Sequence, residues 1–255
     1  MNKLLICFLV MCLASADIFA SMNVSYLNTT VILNSSTSGR VVETVLVNIT
    51  NNSISQYEQY RQSLNLTLGD WGKVLRTNLL IQHIFNPNSN VSEFEFIPGP
   101  IINRFYNGNG QALLTMSYIA HNITTVENTG PRTFQYQFVA EALNFQHTQN
   151  GESLPENARL NIIIPKGTQA NSVYPAPDYP YPRYIGNYKN VTSFTWDEGE
   201  PLQTFSFSYI YTESLQDEVT NYFSNAYTNY THQIYLFLIV LFSILAVYIY
   251  VKVFV

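Results

Sequence analysis

The stretch Ile234–Val255, IYLFLIVLFSILAVYIYVKVFV, decides how this chain is organised. Its first eighteen residues, Ile234–Val251, contain no charge, Gly or Pro, and their only polar side chains are Ser243 and three tyrosines. An α-helix of that length rises about 27 Å, close to the hydrocarbon thickness of a bilayer. Core helices of soluble proteins seldom lack a polar face. The stretch therefore predicts a transmembrane helix, and a buried core helix is the alternative.

The residues around this stretch fit a membrane crossing. Tyr227, Tyr230 and Tyr235 lie at its proximal edge, where amphipathic aromatic rings favour the membrane interface. Lys252 lies near the distal end, where its long side chain can extend the amine to the headgroups. Residues 224–226 (SNA), with a polar spacer and an apolar tail, also resemble a signal for exchange to a lipid anchor. Tail length and Lys252 favour a retained span.

The amino terminus predicts export. Met1–Ala20 has a basic start and an apolar run, and resembles a secretory signal cleaved after Ala20 or Ala16, with an uncleaved anchor as the alternative. Cys7 and Cys12 both lie in this segment, so the exported part has no thiol for disulfides, zinc sites or nucleophilic catalysis. These features predict a single-pass plasma-membrane protein with its N-terminal domain extracellular.

Composition indicates an uncharged, polar surface on this domain. The chain is 47% hydrophobic and only 11% charged, against about 25% in an average protein. A net charge of −5 argues against nucleic acid as a partner, because nucleic-acid binding needs basic patches. Ten Asn-x-Ser/Thr sequons predict N-linked glycans, and they begin at Asn23, Asn28, Asn34, Asn48, Asn51, Asn65, Asn90, Asn122, Asn190 and Asn229.

Residues 21–212 predict a mainly β fold. Runs rich in β-branched and aromatic residues, or alternating between polar and apolar, indicate strands. They are Val24–Leu33, Val41–Ile49, Ser92–Ile97, Gln111–Ile123, Thr133–Phe145, Ala158–Ile164, Val191–Trp196 and Leu202–Tyr211. The pattern predicts an antiparallel β-sandwich ectodomain with one or two short helices, as one domain or as two subdomains that divide near residue 126.

Local signals predict how some of these segments connect. The polar turn 34–39 joins the first two strands in a hairpin, and Asn107–Gly110 (NGNG) is a strong turn signal. Thr124–Pro131 contains Gly-Pro, so it is interpreted as the connection of an antiparallel hairpin between Gln111–Ile123 and Thr133–Phe145.

Apolar residues at three- and four-residue spacings predict helices between residues 57 and 78, and again at Ser214–Tyr227. The first stripe includes Tyr57 and Trp71 and is interpreted as core, with a ligand groove as the alternative. Asp70 is a candidate helix cap. The later stripe makes residues 213–233 an amphipathic membrane-proximal helix.

Tyr174–Tyr184, YPAPDYPYPRY, alternates tyrosine with proline. Proline imposes an extended backbone and cannot lie inside a sheet. The segment is either a stiff loop across a sheet edge or a candidate recognition loop that presents Tyr174, Tyr179, Tyr181 and Tyr184 to a glycan or protein.

The sequence offers little catalytic chemistry. Its four histidines, His83, His121, His147 and His232, form no metal-binding spacing, and the common catalytic and nucleotide-binding motifs do not occur. The acidic run 197–200 (DEGE) could supply paired carboxylates for glycoside hydrolysis or a cation, but a solvated turn is the favoured interpretation. We therefore predict no catalytic residue, no metal site, no cofactor and no enzymatic activity.

The layout, with RLNIIIP at 159–165, a Pro-rich loop, Trp196 and FSFSYIY at 205–211, resembles archaeal single-span envelope proteins with ribophorin-like β-sandwich ectodomains. The resemblance implies a surface or accessory role and transfers no functional residue. We expect a non-catalytic surface glycoprotein with a structural, adhesive or assembly role, whose partners are the lipid bilayer and other envelope proteins or itself. The alternatives are an accessory single-span subunit of a membrane complex, and an extracellular glycan-binding protein or hydrolase.

Overall fold

A computed structural model describes residues 21–63, 66–148, 151–180, 188 and 190–254. Within these ranges it leaves out the side chains of residues 103–104, 147–148, 151, 217, 221–222, 226 and 245–254. The predicted signal segment Met1–Ala20 therefore lies outside the described residues, as do the sequon residue Asn65 and the loop residues Tyr181 and Tyr184.

The described chain is mainly β, as predicted. Its strands are β1 (Met22–Leu33), β2 (Gly39–Ile49), β3 (Ser92–Arg104), β4 (Gly110–Ala120), β5 (Thr124–Gly130), β6 (Thr133–Phe138), β7 (Gln146–Thr148), β8 (Gly151–Ser153), β9 (Ala158–Ile163), β10 (Gln169–Tyr174), β11 (Ser193–Trp196) and β12 (Ser206–Thr212). Its α-helices are α1 (Ile54–Gln62), α2 (Leu68–Leu75) and α3 (Leu215–Phe254), and single 3-10 turns lie at Asn51–Ser53 and Ala140–Ala142.

Six strands form the larger sheet, in the order β11-β9-β1-β2-β4-β3. The predicted hairpin of the first two strands is confirmed, because β1 and β2 pair antiparallel from Met22↔Ile49 to Leu33↔Gly39. The predicted, mostly antiparallel pairing has one parallel exception. β1 and β9 run parallel, with Leu27 opposite Ala158. Parallel pairing joins segments far apart in sequence, so no turn signal marks it.

Alternation along the strands gives this sheet a buried and an open face. In β4 every second residue from Gly110 to Ala120 is buried, as the alternation along the predicted strand Gln111–Ile123 requires. The buried residues include Ala112, Leu114, Met116, Tyr118 and Ala120. β2 shows the same pattern, with its odd-numbered residues from Gly39 to Ile49 buried. Successive side chains of a strand point to opposite faces, so the even-numbered residues of β2 line the open face.

A second sheet has four strands in the order β10-β12-β6-β5, and β7 and β8 form a separate two-stranded sheet. Here the predicted hairpin of Gln111–Ile123 with Thr133–Phe145 is wrong. β4 belongs to the larger sheet, and the segment interpreted as a connection is itself the strand β5, beside β6. β5 reads TTVENTG and is mostly exposed, so it lacks the apolar alternation that identifies a strand in sequence.

Aromatic side chains fill the space between the two sheets. Phe194 and Trp196 of β11 are fully buried, as is Phe207 of β12. The rings of Phe194 and Phe207 meet edge to face at 5.2 Å between centroids, and Trp196 meets Phe205 at 5.1 Å. Such edge-to-face pairs add to the free energy gained by burying the rings. The described body is therefore a two-sheet sandwich.

The predicted strand Ser92–Ile97 is longer than expected. β3 continues through Pro98-Gly99-Pro100 to Arg104. It lies at the sheet edge and pairs only with β4, so a proline without an N–H leaves no partner strand unpaired. A Cβ at Gly99 would lie 2.6 Å from the carbonyl oxygen of Leu113, so only glycine fits this approach.

Both short helices pack on the sandwich. The Thr67 hydroxyl accepts a hydrogen bond from the Asp70 N–H, and the Asp70 carboxylate accepts one from the Thr67 N–H, which forms a capping box. Asp70 thus completes the cap, while Thr67 is the N-cap residue. Tyr57 and Trp71 are buried with their rings 5.6 Å apart, as the core interpretation predicted.

The chain divides into two compact units. One contains the described residues of Met1–Glu127 with Gln135–Tyr211, and the other contains Asn128–Phe134 with the described residues of Thr212–Val255. In the second unit, α3 joins the two predicted C-terminal helices, and its only non-helical backbone angles are at Tyr230. Among the residues that the structure describes, none of the helices meets the length and apolarity required to cross a membrane.

Candidate functional site

A glutamate is buried on the inner face of β2. Residues 41, 43, 45, 47 and 49 of this strand all point inward, and four of them are Val or Ile. Glu43 occupies the remaining inward position and is fully buried. The run Val41–Ile49 predicted the strand, but Glu43 was not among the predicted site residues. The signal was present, since one charged residue in an otherwise apolar inward row requires partners in the core.

Three donors satisfy the Glu43 carboxylate. The His83 backbone N–H donates to Oε1 at 2.9 Å, and the Tyr118 hydroxyl donates to the same oxygen at 2.5 Å. Oε2 lies 2.5 Å from Nδ1 of His83. His83 and Tyr118 are each about 1% exposed, so the whole cluster is shielded from water.

Tyr118 links the carboxylate to the backbone of the neighbouring segment. Its hydroxyl also accepts a hydrogen bond from the Ile84 N–H at 3.1 Å. Burial raises the pKa of the Tyr118 phenol, and the adjacent Glu43 carboxylate raises the pKa further. The phenol therefore stays protonated in the fold and acts as a permanent donor to Glu43.

The cluster holds an irregular segment against the sheet. Backbone hydrogen bonds join this segment to the second 3-10 turn and the residues after it. The Asn144 N–H donates to the His83 carbonyl at 2.8 Å, and the Phe85 N–H donates to the Ala142 carbonyl at 2.9 Å. The His83 ring stacks on Phe145 with 5.0 Å between centroids. Residues 83–85 have little regular structure of their own, so Glu43 and its donors fix their position.

A surface cavity of about 540 Å³ lies beside His83, which itself exposes only about 1% of its surface. The other lining residues are Asn78, Leu79, Ile81, Phe145, Gln146, Pro155 and Glu156. A Glu–His pair can orient an imidazole as a base. Here Glu43 is fully buried, and its contacts with His83 and Tyr118 hold an irregular segment against the sheet. These contacts favour a structural role. Within the described residues, no group of three or more His, Cys, Asp or Glu side chains could hold a metal ion.

The remaining titratable candidates are spread over the surface. His121 lies between the hydroxyls of Ser38 and Ser92, at 3.0 and 2.8 Å from its ring nitrogens. In the acidic run, Asp197 pairs with Arg159 at 2.6 Å, and Glu198 accepts from the Asn157 N–H. These carboxylates bind separate partners in a turn, which agrees with the solvated-turn interpretation.

The sequon asparagines of the described chain lie at the surface. Asn23, Asn34, Asn51, Asn90, Asn122, Asn190 and Asn229 are exposed, and Asn28 and Asn48 are half-buried. Asn23, Asn28 and Asn48 lie within strands and Asn229 lies in α3, whereas the other five described sequon asparagines lie in turns and loops or in a 3-10 turn. These five are Asn34, Asn51, Asn90, Asn122 and Asn190. Surface exposure makes these positions compatible with sugar attachment, and glycosylation stays a prediction.

The described part of the tyrosine-proline loop, residues 174–180, is fastened to the edge of the larger sheet. Tyr179 and Thr195 of β11 exchange backbone hydrogen bonds at 3.3 and 2.8 Å. The Trp196 indole N–H donates to the Pro175 carbonyl at 3.0 Å. Tyr174 and Tyr179 remain 57% and 60% exposed. The loop therefore covers an edge strand and also presents two tyrosine rings to solvent.

The start of α3 leaves apolar side chains in solvent. Leu215 and Val219, on one side of the helix by their four-residue spacing, are 63% and 46% exposed. Within the same unit, the Glu213 N–H donates to the Arg132 carbonyl at 2.8 Å, and Arg132 approaches Glu218 at 3.6 Å. The helix start is thus tied to the 128–134 turn while its apolar stripe stays uncovered in the described chain.

Three buried tyrosines predict alkaline unfolding. Burial raises the pKa of Tyr57, Tyr118 and Tyr209, whereas unfolded tyrosines ionise near pH 10. Below about pH 10 the free energy of unfolding keeps its full value. Above that pH it falls, because the unfolded chain releases the tyrosine protons and the folded chain does not. The β-sheet circular dichroism should be lost in one cooperative step above about pH 10, and the tyrosinate absorbance that comes from the buried tyrosines should appear in the same step.

Exposed tyrosines provide the control for this titration. Tyr106 is fully exposed and packs against nothing in the core, so Tyr106→Phe should leave the cooperative step unchanged. Ionisation of every tyrosine before any loss of β-sheet signal would contradict the expectation.

Comparisons with known proteins add little to this description of the site. No family model matches the chain, and no curated protein matches it significantly. Among solved structures, the NMR structure of the folded domain of Mycobacterium tuberculosis LppM matches with a TM-score of 0.24 and 8% identity, over 77% of this chain and 95% of that chain. A likeness this low supports no conclusion about fold or function. The resemblance to archaeal envelope proteins stays a prediction.

Proposed function

We propose that this protein is a non-catalytic, membrane-anchored surface glycoprotein with a structural, adhesive or assembly role in a cell envelope. Its β-sandwich would lie outside the plasma membrane, and the apolar run Ile234–Val251 would anchor it. Neighbouring envelope proteins or further copies of the chain would be its partners.

The exposed apolar side chains of α3 carry this proposal. Between residues 236 and 244 every side chain except Ser243 is apolar, and Leu236, Phe237, Ile239, Phe242 and Ile244 are each more than 60% exposed. Contiguous exposed apolar surface of this kind marks contact with lipid or with a protein partner. The uncharged sequence continues to Val251, which supports lipid as the surroundings of this half of the helix.

Charges placed in this run test the anchor. Ile239→Arg combined with Phe242→Arg should release the full-length protein from alkaline-washed membranes, because each Arg near a span centre costs about 2.5–3.5 kcal/mol of insertion free energy. The matched control, Asn225→Arg with Thr228→Arg, adds the same charges to exposed polar positions of the same helix and should stay in the pellet. Wild-type protein that partitions into the aqueous phase of a detergent phase separation would overturn the proposal.

Leu215 and Val219 favour a second candidate function, an accessory subunit of a larger membrane complex. Their exposure at the start of α3 leaves an apolar stripe that a partner helix could cover. Stoichiometric membrane proteins that co-purify in mild detergent, and are lost on Leu215→Asp with Val219→Asp, would support it. Intact-mass measurement of the same material also tells a retained C-terminal span from a lipid anchor.

Tyr174 and Tyr179 favour a third candidate, glycan binding. Tyr174 ends β10, and Tyr179 lies on the following loop, which backbone hydrogen bonds fasten to β11. Both rings are exposed, and an aromatic ring can pack on the apolar face of a sugar. Binding on a glycan array that disappears in the Tyr174→Ala, Tyr179→Ala double variant would support this function.

A further inference from the structure

The open face of the larger sheet combines polar and apolar side chains in rows across the strands. Asn28, Thr44 and Thr115 lie side by side on β1, β2 and β4, as their pairing registers show. The next row contains Tyr26, Leu46 and Leu113. All six side chains are half-buried, and no described helix or strand of this unit packs over them to bury them fully.

A shallow groove runs along this face. It encloses about 340 Å³ and is lined by Tyr26, Asn28, Thr44, Leu46, Leu113, Arg159 and Asn161. The Arg159 guanidinium lies 6.0 Å from the centre of the Tyr26 ring. The groove therefore offers an aromatic ring and two leucines beside hydrogen-bonding groups. Sugars, which have apolar C–H faces and polar hydroxyls, match this mixture.

Three sequon asparagines lie on the same face. Asn28 is in the middle of β1, and Asn48 near the end of β2 stands directly opposite Asn23 of β1. We name these three residues the open-face sequons. Because alternate residues of a strand share a face, Thr30 lies on the same side as Asn28, and the Asn28 amide nitrogen lies 3.5 Å from its hydroxyl.

Neighbouring amides hold two of these asparagines in place. The Asn161 amide donates to Oδ1 of Asn28 at 2.9 Å, and the Gln111 amide donates to Oδ1 of Asn48 at 2.9 Å. Both bonds use the side-chain oxygen and none of the amide hydrogens of Asn28 or Asn48. A glycan attached to the amide nitrogen leaves both of these hydrogen bonds intact, so attachment is compatible with the folded sheet.

We propose that N-linked glycans on Asn23, Asn28 and Asn48 cover the open face of the six-stranded sheet and shield the row Tyr26, Leu46 and Leu113. The inference rests on the proposed glycoprotein function, and it adds where the sugars lie and which side chains they shield. With so few charged residues on the chain, the attached sugars supply the hydrophilic layer that keeps this apolar row from solvent and from other sheets.

The first test measures which sequons are occupied. The full chain is produced in a eukaryotic host, and glycopeptides are analysed by mass spectrometry. Sugar on Asn28 and on Asn23 or Asn48 is the expected result. If Asn34, Asn51 and Asn90 carry sugar while the three open-face sequons carry none, the inference fails and the glycoprotein proposal survives. If none of the ten sequons carries sugar, both fail.

The second test measures shielding on the same full-length protein. Hydroxyl-radical labelling of Tyr26, Leu46 and Leu113 should rise several-fold when the open-face sequons are all changed from Asn to Gln. The matched control changes Asn34, Asn51 and Asn90 to Gln, which removes as many sequons from exposed turns, and should leave this labelling unchanged. Equal labelling in the two triple variants overturns the proposal. So does protection of the row in an unglycosylated dimer, because a second copy would then be the cover.

Discussion

Glu43→Ala should lower the free energy of unfolding by about 3–5 kcal/mol, the usual loss when one partner of a buried, hydrogen-bonded charge cluster is removed. The carboxylate accepts hydrogen bonds from the His83 N–H and the Tyr118 hydroxyl, and it contacts the His83 ring. Without it, these donors remain buried with no acceptor, and each unsatisfied group adds a desolvation penalty. Urea unfolding followed by circular dichroism measures the change.

Two further variants distinguish the effect of disrupting the Glu43 cluster from the general effect of removing a glutamate. Glu95→Ala removes a carboxylate from an exposed position of β3 and should change the free energy of unfolding by less than about 0.5 kcal/mol. Tyr118→Phe removes one donor to Glu43 and leaves the Ile84 N–H without its acceptor, so an intermediate loss of about 1–3 kcal/mol is expected. Equal losses for Glu43→Ala and Glu95→Ala would show that the cluster does not stabilise the fold.

Hydrogen exchange locates the effect of Glu43→Ala. The cluster fixes residues 83–85 against Ala142 and Asn144, so amides of this segment should lose protection before those of the central strands. If protection falls evenly over the whole sheet, the cluster acts on global stability and does not specifically hold this segment.

Strong local patterns predicted the sandwich well. The hairpin of β1 and β2 follows from two apolar runs around a polar turn, and the inward row of β4 follows from strict alternation. The helix signals around Tyr57 and Trp71 were also correct, because an apolar stripe at helical spacing must be buried. These features depend on neighbours in sequence, and a single chain is sufficient to show them.

The pairing of segments far apart in the chain could not be predicted from the sequence. The parallel contact of β1 with β9 joins residues about 130 positions apart, and no local residue specifies it. β5 is polar and at the edge of its sheet, so it shows no apolar face to detect. The partners of Glu43 come from β4 and from an irregular segment, and only the fold brings them together. The glutamate itself was visible as a charge in an inward row.

Trp196→Ala should lower the free energy of unfolding by about 3–5 kcal/mol, the typical loss for truncating a buried aromatic residue to alanine. Trp196 has no exposed surface and contacts the rings of Phe205 and Phe207 across the space between the sheets. Removing the indole leaves a cavity there, because neighbouring backbone in paired strands can relax only in part. Urea unfolding should show the loss as a lower midpoint with an unchanged dependence on denaturant.

The indole N–H has a second effect that a smaller substitution can isolate. It donates to the Pro175 carbonyl, which fastens the tyrosine-proline loop to β11. Trp196→Phe keeps a buried ring and loses this donor, so it should destabilise the fold less than Trp196→Ala while still increasing proteolysis near residues 174–180. If the loop stays protected in Trp196→Phe, then the backbone bonds between Tyr179 and Thr195 are sufficient to hold it. Pairing with the sheet edge would then be what positions the exposed rings of Tyr174 and Tyr179, and the buried indole would stabilise only the core.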